Sequence, residues 1–393
     1  TGGGGGTPGS TIEGGATVEE ALLAQFAYFL GSTTTINIKS SDGAIIASQE
    51  FYGYAKISDL INFFTKYGIE AKLEDNILKL DNDNGIYAED ATTGGLLTQI
   101  GVGVTTKQVT TDFLTVITQS SAEAAIAIGS VSTLTAGNLY SISSLSDLNK
   151  LASLVNSGQA SNCTFILTGD IDMANSPGYI PIGTDEHKFM GTFYGNGHVI
   201  SNVSISQSGT SGIGIFGVTG NTARILDLGV ENATVSGKDY TGVIVGNSAG
   251  TITNCYVKGN VNVNGNRYVG AITGEATNTI ASSYTSGNIN INGSEYVGGL
   301  AGFINSSVRN SFVQDVNVTS SSGKAGGFTG VFGSTASYDK ISIKGTINVS
   351  GPNCIGGYVG ASNISLSNLN ANVTGTVKAA SGYVGGIAGS RSE

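Results

Sequence analysis

The stretch Tyr296-Val-Gly-Gly-Leu-Ala-Gly302 decides the fold, because variants of it return through the second half of the chain at nearly constant spacing. The closing glycines of six successive copies are 28, 28, 28, 30 and 29 residues apart. An earlier glycine, 29 residues before them, indicates a seventh copy, so the series is Gly217, Gly246, Gly274, Gly302, Gly330, Gly360 and Gly389. A fixed period of this size is typical of stacked arrays, in which each coil buries its apolar face only against its neighbours.

Each copy is built from short alternating segments. Within residues 252–258, and again within 260–264, apolar and polar residues alternate as they do in half-buried strands. A Gly-Asn turn then leads into the glycine motif, so each coil offers about three short strands. Strands that recur once per coil stack in parallel about 4.8 Å apart, with right-handed crossovers. The sequence therefore predicts a mainly β protein, a parallel β-helix or β-solenoid of about seven coils of 28–30 residues.

The glycines have a structural interpretation. Glycine supplies positive φ angles at corners and lets backbones approach closely, so the seven closing glycines are predicted to be structural turns. The Gly-x-x-x-Gly spacing is not that of a membrane helix, because polar residues interrupt every apolar run. It is not a phosphate-binding loop either, because no helix follows the glycines.

Four tyrosines precede copies of the glycine motif, namely Tyr240, Tyr268, Tyr296 and Tyr383. If their rings point outward, they form a ligand-facing ladder on which sugar rings can lie. If the rings point inward, they form stacks in the core. We favour core stacks, because identical buried side chains stack well in repeated coils.

Composition narrows the functional classes. Residues 1–200 hold 20 acidic and 8 basic side chains, a balance of −12, and residues 201–393 hold 8 and 10, a balance of +2. No basic stripe is available to follow a phosphate backbone, which argues against nucleic acid as a partner. No apolar run approaches ~20 residues, which argues against membrane insertion. Sixty glycines with only four prolines favour many turns between short strands over disorder.

The cysteines Cys163, Cys255 and Cys354 form an odd set without metal-binding spacing, and we interpret them as small buried apolar residues. Few cysteines together with few charges are typical of secreted bacterial surface proteins. The chain begins at Thr1 without a methionine or a signal peptide. We therefore interpret it as a piece of a longer protein.

The pattern along the chain suggests four regions. Residues 1–15 are a flexible glycine-rich tether, 16–137 a small α/β domain or domains, 138–205 a helix-led entry with the first coils, and 206–393 the repeat itself. Within residues 16–137 the expected elements are a helix at 17–30, strands at 33–39 and 44–51, a helix at 58–66, a hairpin of 69–73 with 76–80, and a helix at 108–119.

The β-β-α-β-β arrangement of this N-terminal region has a recognisable spacing. It rests on Ser58-Asp59-Leu60-Ile61-Asn62, Gly68-Ile69 and Leu78. With this spacing, residues 33–90 resemble the small IN-type repeat of flagellar hook-associated proteins and of large bacterial surface proteins.

A longer resemblance begins where the repeat is about to start. Residues 140–155 place apolar side chains on one helical face, with Ser144 or Ser146 as the N-cap: Leu145, Leu148, Leu151 and Leu154 or Val155. Segments 165–173, 180–183 and 189–200 follow, and then the glycine motif copies. In this order, residues 139–393 resemble the GLUG-motif repeat regions of bacterial surface and secreted proteins, among them adhesins and IgA-cleaving metallopeptidases. Tyr194 departs from the pattern, which has an acidic residue before Gly195-Asn196-Gly197.

Few residues are candidates for chemistry. His187 and His198 are the only histidines and no HExxH motif exists, so the zinc site of the IgA-cleaving relatives is absent from this sequence. Asp170 and Asp172 share one face of a strand, where they could work as an acid–base pair or hold Ca²⁺. The run Asp81-Asn-Asp83-Asn-Gly85 resembles the start of a calcium loop, but we favour a turn. We therefore predict no catalytic residue and no cofactor, with calcium at these four aspartates as the alternative.

The sequence predicts a non-catalytic extracellular or cell-surface protein, an adhesin or stalk-like spacer whose partner is a host protein, a glycan or a neighbouring copy of itself. The resemblance to GLUG repeats implies the adhesive role, whereas the repeat alone indicates only a rod. One alternative is a carbohydrate-active β-helix enzyme with Asp170 and Asp172 at its site. Another is a structural filament or appendage subunit, in which the apolar segment 17–30 packs between chains.

Overall fold

The computed structural model describes residues 34–40, 44–51, 57–67, 69–74, 77–81, 87–90, 108–112, 125–159, 163–174, 178–367 and 369–391. The chain divides into two compact units, Thr1–Ala124 and Ala125–Glu393. The predicted tether at 1–15, the predicted helix at 17–30 and Asp83 lie outside the described residues.

The described residues of the first unit form two small antiparallel sheets and one helix. Its elements are β1 (Thr34–Lys39), β2 (Ile45–Phe51), α1 (Ile57–Lys66), β3 (Glu70–Glu74), β4 (Ile77–Asp81), β5 (Tyr87–Asp90) and β6 (Gln108–Asp112). The sheet orders are β2-β1-β5 and β3-β4-β6. The predicted strands, the helix at 58–66 and the hairpin are confirmed to within about a residue or two. Ile36 and Ile38 of β1 and Leu60, Phe63 and Phe64 of α1 are buried, as the alternating and helical apolar patterns require.

The predicted helix at 108–119 is wrong over its first residues. Residues 108–112 form β6, which pairs antiparallel with β4 through Leu80 and Val109. The segment Val109-Thr-Thr111 is β-branched, and such side chains favour a strand when a neighbouring strand offers an edge.

The second unit begins before the boundary at residues 137 and 138 that the sequence suggested. It opens with β7 (Ile126–Ala127), β8 (Leu139–Ile142) and a helix, α2 (Leu145–Leu154). The Ser144 hydroxyl accepts a hydrogen bond from the Asp147 N–H, which confirms one of the two predicted N-caps. The helix buries its apolar face, namely Leu148, Leu151, Ala152 and Leu154.

The rest of the second unit is a stack of parallel strands in four sheets. The nine-stranded sheet contains β7, β8, β9 (Thr164–Leu167), β11 (Thr192–Tyr194), β14 (Arg224–Leu226), β17 (Thr251–Thr253), β21 (Ile280–Ala281), β25 (Ser307–Arg309) and β29 (Ser337–Asp339). The eight-stranded sheet, called the long sheet below, contains β10 (Ile171–Asp172), β12 (Val199–Ser206), β15 (Gly229–Ser236), β18 (Tyr256–Asn264), β22 (Tyr284–Gly293), β26 (Phe312–Ser320), β30 (Ser342–Gly351) and β33 (Asn370–Ala379).

The two remaining sheets carry the glycine motif. The seven-stranded sheet contains β13 (Phe216–Thr219), β16 (Val245–Ser248), β20 (Thr273–Ala276), β24 (Ala301–Ile304), β28 (Thr329–Phe332), β32 (Val359–Ser362) and β35 (Ala388–Arg391). The five-stranded sheet contains β19 (Val269–Gly270), β23 (Tyr296–Gly298), β27 (Lys324–Gly326), β31 (Ile355–Gly356) and β34 (Val384–Gly385). Each strand pairs in parallel with the strand one coil away, so the predicted parallel β-solenoid is confirmed, with about nine turns rather than seven.

The core consists of columns of like side chains, one from each coil. One column of the long sheet runs through five successive strands and is fully or almost fully buried: Val235, Val263, Ile291, Val318 and Val349. Burying one such side chain contributes roughly 1.5–3 kcal/mol. The first coils instead stack rings, with centroids 5.7, 5.8 and 5.1 Å apart along Tyr140, Phe165, Phe189 and Phe216.

The closing glycines are not turn residues. All seven lie in strands of the seven-stranded sheet, and none of them has a positive φ angle. Their role is close approach: a Cβ atom on Gly330 would lie 2.6 Å from the Val297 nitrogen of the five-stranded sheet. The first glycine of the motif faces the opposite way, since a Cβ atom on Gly298 would lie 2.5 Å from Thr329 Cα. The glycine pair therefore lets two sheets pack backbone against backbone, with no side chain between them.

Candidate functional site

A row of three tyrosines, one per coil, lies where the strands of the five-stranded sheet begin and continues one coil before its first strand. We call Tyr240, Tyr268 and Tyr296 the tyrosine ladder. The first two ring centroids are 4.9 Å apart with the planes 6° from parallel, and the next two are 5.0 Å apart at 30°. All three side chains are half-buried, so the prediction that they form core stacks is wrong. Tyr383 lies apart from the ladder, because Lys324 and Cys354 occupy the two register positions between it and Tyr296. Its side chain is 69% exposed.

Two ladder residues hold an unusual backbone. The φ angles of Tyr240 and Tyr268 are 57° and 55°, in the left-handed region that a bulky residue rarely adopts. This conformation costs roughly 1–2 kcal/mol for each non-glycine residue. Gly212, at the same register position one coil earlier, has a φ of 71°, which glycine adopts without strain. Glycine would therefore satisfy the backbone at these positions without strain.

Charged groups surround the ladder. The Arg267 guanidinium lies 5.6 Å from the centre of the Tyr268 ring, and Lys324 Nζ lies 5.7 Å from the centre of the Tyr296 ring. Asp239 lies 3.6 Å from Arg267 Nε and holds it beside the rings. Burial raises the pKa of the Glu275 carboxyl. Burial also raises the pKa of Tyr268, and the neighbouring Tyr240 and Glu275 raise it further, so its hydroxyl stays protonated.

Phe303 extends the aromatic surface. Its ring lies 5.9 Å from that of Tyr268, edge to face, and 6.5 Å from that of Tyr296. Neighbouring ladder rings cover part of each other's faces, as offset stacks do. The ladder therefore offers ring edges and phenol hydroxyls with acids and cations at the rim, which is an arrangement for binding a polar ligand with an apolar face.

A second aromatic row, which the sequence analysis missed, lies on the long sheet. The rings of Tyr256 and Tyr284 are 5.3 Å apart, and those of Tyr284 and Phe312 are 4.7 Å apart and nearly parallel. Lys258 Nζ lies 5.0 Å from the Tyr256 ring centre, and Lys344 Nζ lies 4.0 Å from that of Phe312. The signal was present in the sequence, since Tyr256 and Tyr284 are also one 28-residue period apart.

Asparagines form a third row on the outer face of the same sheet. Each amide donates to the side-chain oxygen of the asparagine one coil earlier, over distances of 3.3, 3.0 and 2.9 Å along Asn262, Asn290, Asn317 and Asn348. Thr376 Oγ1 continues the row by donating to Asn348 Oδ1. The row itself is polar and uncharged, and its hydrogen bonds fix the register of the coils.

Asp170 and Asp172 fasten one coil to the next. Asp170 Oδ1 accepts a hydrogen bond from the Val199 N–H at 2.9 Å and lies 3.2 Å from Nδ1 of the buried His198. Asp172 Oδ1 accepts from Asn202 Nδ2 and from the Ala174 N–H, both at 2.9 Å, and the Asn202 bond lowers the pKa of Asp172. These contacts give both carboxylates a structural role.

The remaining candidates among the described residues belong to separate elements of the two units. Asp81 ends β4, His187 lies 4.0 Å from Glu186 in a loop, and Cys163 and Cys255 are buried as expected, whereas Cys354 is half-buried. In the part of the chain that the structure describes, no group of three or more His, Cys, Asp or Glu side chains could hold a metal ion. Calcium at the four aspartates stays a prediction. None of the described helices is long and apolar enough to cross a membrane.

Comparison with known proteins gives partial matches. No family model matches the chain, so the resemblance to GLUG-type repeats stays a prediction. "Halomucin" of Haloquadratum walsbyi is 38% identical over 138 residues, which cover 33% of this chain and 2% of that protein. A "Putative Gly-rich membrane protein" of Evansella cellulosilytica is 33% identical over 102 residues, which cover 24% of this chain and 12% of that protein. The chain thus spans a small part of the length of these relatives.

A solved structure also resembles the chain. It is described as a "putative immunoglobulin A1 protease" from Bacteroides ovatus, is 22% identical, and has a TM-score of 0.48. The match covers 66% of this chain and 85% of the other.

Proposed function

We propose that this chain is the ligand-holding β-solenoid of a surface or secreted protein, and that its tyrosine ladder binds carbohydrate. The observation that carries the proposal is the strained left-handed backbone of Tyr240 and Tyr268, at a position that glycine fills without strain one coil earlier. Strain of this kind concentrates at functional positions. The names of the two relatives, "Halomucin" and "Gly-rich membrane protein", support a surface setting.

The chemistry of the ladder suits a sugar better than a flat apolar partner. A sugar ring presents C–H groups on its faces and hydroxyls around its edge. Phe303 and the tyrosine rings can contact the C–H groups, while Arg267 and Asp239 can hydrogen-bond to hydroxyls. Because the ladder repeats once per coil, a ligand that is itself a repeat, such as a polysaccharide, can contact successive rungs. A host protein is the second candidate partner, since exposed tyrosine and arginine are enriched at protein interfaces.

We propose a non-catalytic role. It is supported by the hydrogen bonds that Asp170 and Asp172 accept from Val199 and Asn202, both of which lie in β12. Hydrolysis of a glycan by the wild-type chain, lost on Asp172→Asn, would contradict this part of the proposal and favour the carbohydrate-active alternative.

The test is a glycan array followed by calorimetry on the full chain. We expect Tyr268→Gly to weaken binding of the best glycan at least tenfold, because the ring is lost while its left-handed backbone suits glycine. Tyr268 makes three ring contacts, each worth roughly 0.5–1.5 kcal/mol, and the relief of about 1–2 kcal/mol of backbone strain offsets only part of their loss. The unfolding midpoint should therefore fall, and binding is measured at a temperature well below the midpoint of both chains.

Tyr383→Gly is the matched control, since Tyr383 precedes the same motif but lies outside the ladder. It should bind the glycan like the wild type. Equal affinity of Tyr268→Gly and the wild type, or no glycan bound by the wild type at all, would overturn the ladder as a carbohydrate site.

A further inference from the structure

Glu275 lies beside the first two rings of the tyrosine ladder. In β20 it is the register partner of Phe303, which lies one coil later in β24. The Phe303 ring contacts those of Tyr268 and Tyr296, with centroids 5.9 and 6.5 Å away. Glu275, Tyr240 and Tyr268 each precede these three residues by 28 positions and stack on them in register. Glu275 therefore holds the same place beside Tyr240 and Tyr268 that Phe303 holds one coil later.

The Glu275 carboxylate is half-buried but unpaired. Among the residues that the structure describes, no hydrogen-bond donor or cation pairs with it. Burial raises its pKa, because a carboxylate that leaves water without gaining a partner is costly to ionise. Asp239 differs, since its carboxylate lies 3.6 Å from Arg267 Nε. Glu275 is thus a carboxylate beside the ladder whose charge a ligand can neutralise.

The charges at the first ring of the ladder are mainly negative. Burial raises the pKa of the Tyr240 hydroxyl, and three nearby carboxylates raise it further: Glu275, Asp239 and Asp185. The Arg267 guanidinium opposes them, but it is already paired with Asp239. Glu275 and Asp185 remain as excess negative charge at this position, which favours a cationic group in the ligand.

The rings of the ladder also suit an ammonium group. Lys324 Nζ lies 5.7 Å from the centre of the Tyr296 ring, which shows that a primary ammonium fits beside a ladder ring. At the other end of the ladder, Gly212 holds the register position before Tyr240 and has no side chain, so no ladder ring covers that face of Tyr240. A ligand ammonium between Tyr240 and Glu275 meets both an aromatic ring and a carboxylate.

We propose that the ladder recognises a glycan that carries a free amino group, and that Glu275 is the residue that selects it. This inference rests on the proposed carbohydrate binding and narrows it to amino sugars. The tyrosine rings contact the C–H faces of the sugars, while the ammonium donates hydrogen bonds to Glu275. A neutral glycan covers the carboxylate without giving it a counter-charge, and an acidic glycan is repelled by it.

The test compares three oligosaccharides of equal length by calorimetry on the full chain near pH 6, where most sugar amines carry a proton. They are built from glucosamine, N-acetylglucosamine and galacturonic acid. The wild type should bind the glucosamine oligomer roughly tenfold more tightly than the N-acetylated one, because a hydrogen bond to a charged group is added. The galacturonic acid oligomer should bind most weakly. Added salt should weaken binding of the glucosamine oligomer and leave that of the N-acetylated oligomer unchanged, since salt screens an ion pair.

Glu275→Gln separates charge from shape. It should bind the glucosamine oligomer roughly tenfold more weakly than the wild type does, and the N-acetylated oligomer equally well. Its unfolding midpoint should not fall, because the substitution removes a half-buried charge that lacks a protein partner. Asp339→Asn is the matched control. It removes the same charge at an exposed side chain of β29 in the nine-stranded sheet, and it should keep the preference of the wild type.

Three results would overturn the inference. The first is binding of the N-acetylated or the galacturonic acid oligomer as tightly as the glucosamine oligomer, and the second is a preference for glucosamine that survives in Glu275→Gln. In both cases, loss of glycan binding in Tyr268→Gly would still support the ladder as a carbohydrate site. The third is equally tight binding of an oligolysine with the same number of ammonium groups, which would indicate a basic peptide. If the wild type binds no glycan at all, the proposed function fails together with this inference.

Discussion

Gly330→Ala is expected to lower the free energy of unfolding by about 3 kcal/mol, the upper part of the range for overpacking. The added Cβ atom would lie 2.6 Å from the Gly302 carbonyl oxygen, 2.6 Å from the Val297 nitrogen and 2.8 Å from the Tyr296 carbonyl carbon. All three are backbone atoms of strands fixed by ladder hydrogen bonds, so they cannot move aside as a side chain would. Chemical denaturation, with hydrogen exchange of β23 and β28 to locate the damage, measures the effect.

Gly209→Ala is the control for this substitution. No atom lies within 4 Å of a Cβ atom at Gly209, and its φ angle is not positive. Its stability should stay within about 0.5 kcal/mol of the wild type, as for most surface substitutions. Equal stability of the two variants would show that the two sheets separate readily, and would contradict close backbone packing as the role of the glycine pair.

Asp227→Asn is expected to raise stability at pH 7 by about 1–2 kcal/mol. Burial raises the pKa of Asp227 to about 6, although a hydrogen bond from Asn254 Nδ2 to Asp227 Oδ1 at 2.6 Å opposes the shift. The difference from an ordinary aspartate corresponds to at most about 3 kcal/mol, and partial exposure reduces it. Asparagine fits the backbone, because Asn196, Asn254 and Asn310 adopt the same left-handed conformation as Asp227.

The sign follows from proton binding. Between about pH 4 and pH 6 the folded chain keeps a proton on Asp227 that the unfolded chain has lost, so the wild type loses stability as the pH rises through this window. The Asp227→Asn variant does not lose stability in this window, so the difference between its free energy of unfolding and that of the wild type should grow from pH 4 to pH 7. Chemical denaturation of both proteins at pH 4 and pH 7 measures this difference.

Asp227→Ala tests the role of the oxygen. It removes the acceptor for Asn254 and places alanine in the left-handed region, so it should be less stable than the wild type at both pH values. If the gain in stability of Asp227→Asn over the wild type does not change with pH, the raised pKa of Asp227 is contradicted.

The sequence predicts the class of fold because the period alone requires parallel stacking of like strands. It underestimates the number of turns because the first coils do not use the glycine pair. Their core is filled by Tyr140, Phe165 and Phe189, whose rings contact one another in sequence but follow no short motif. The strand at 108–112 is missed because its pairing with β4 is a contact between distant segments, which local helix and strand patterns do not record.

A repeat predicts which side chains form a column but not which way the column faces, as the tyrosines show. The period places Tyr240, Tyr268 and Tyr296 in one column, but it does not say whether the column faces the core. A local signal was available: Val269 and Val297 are fully buried, and neighbouring residues of a strand point to opposite faces. The left-handed backbone of two ladder residues has no such signal, because it depends on the fit of one coil against the next.

The helix at the start of the solenoid gives folding a direction. Nearly every strand of the second unit pairs with a strand about one repeat away, so a new coil needs only the coil before it as a template. A chain that emerges from its N-terminus, as in synthesis, would have α2 and the first coils in place before later coils arrive. Growth from α2 onward is then a sequence of short loop closures of similar entropic cost, and a chain that stops partway still ends in a strand edge ready for the next coil.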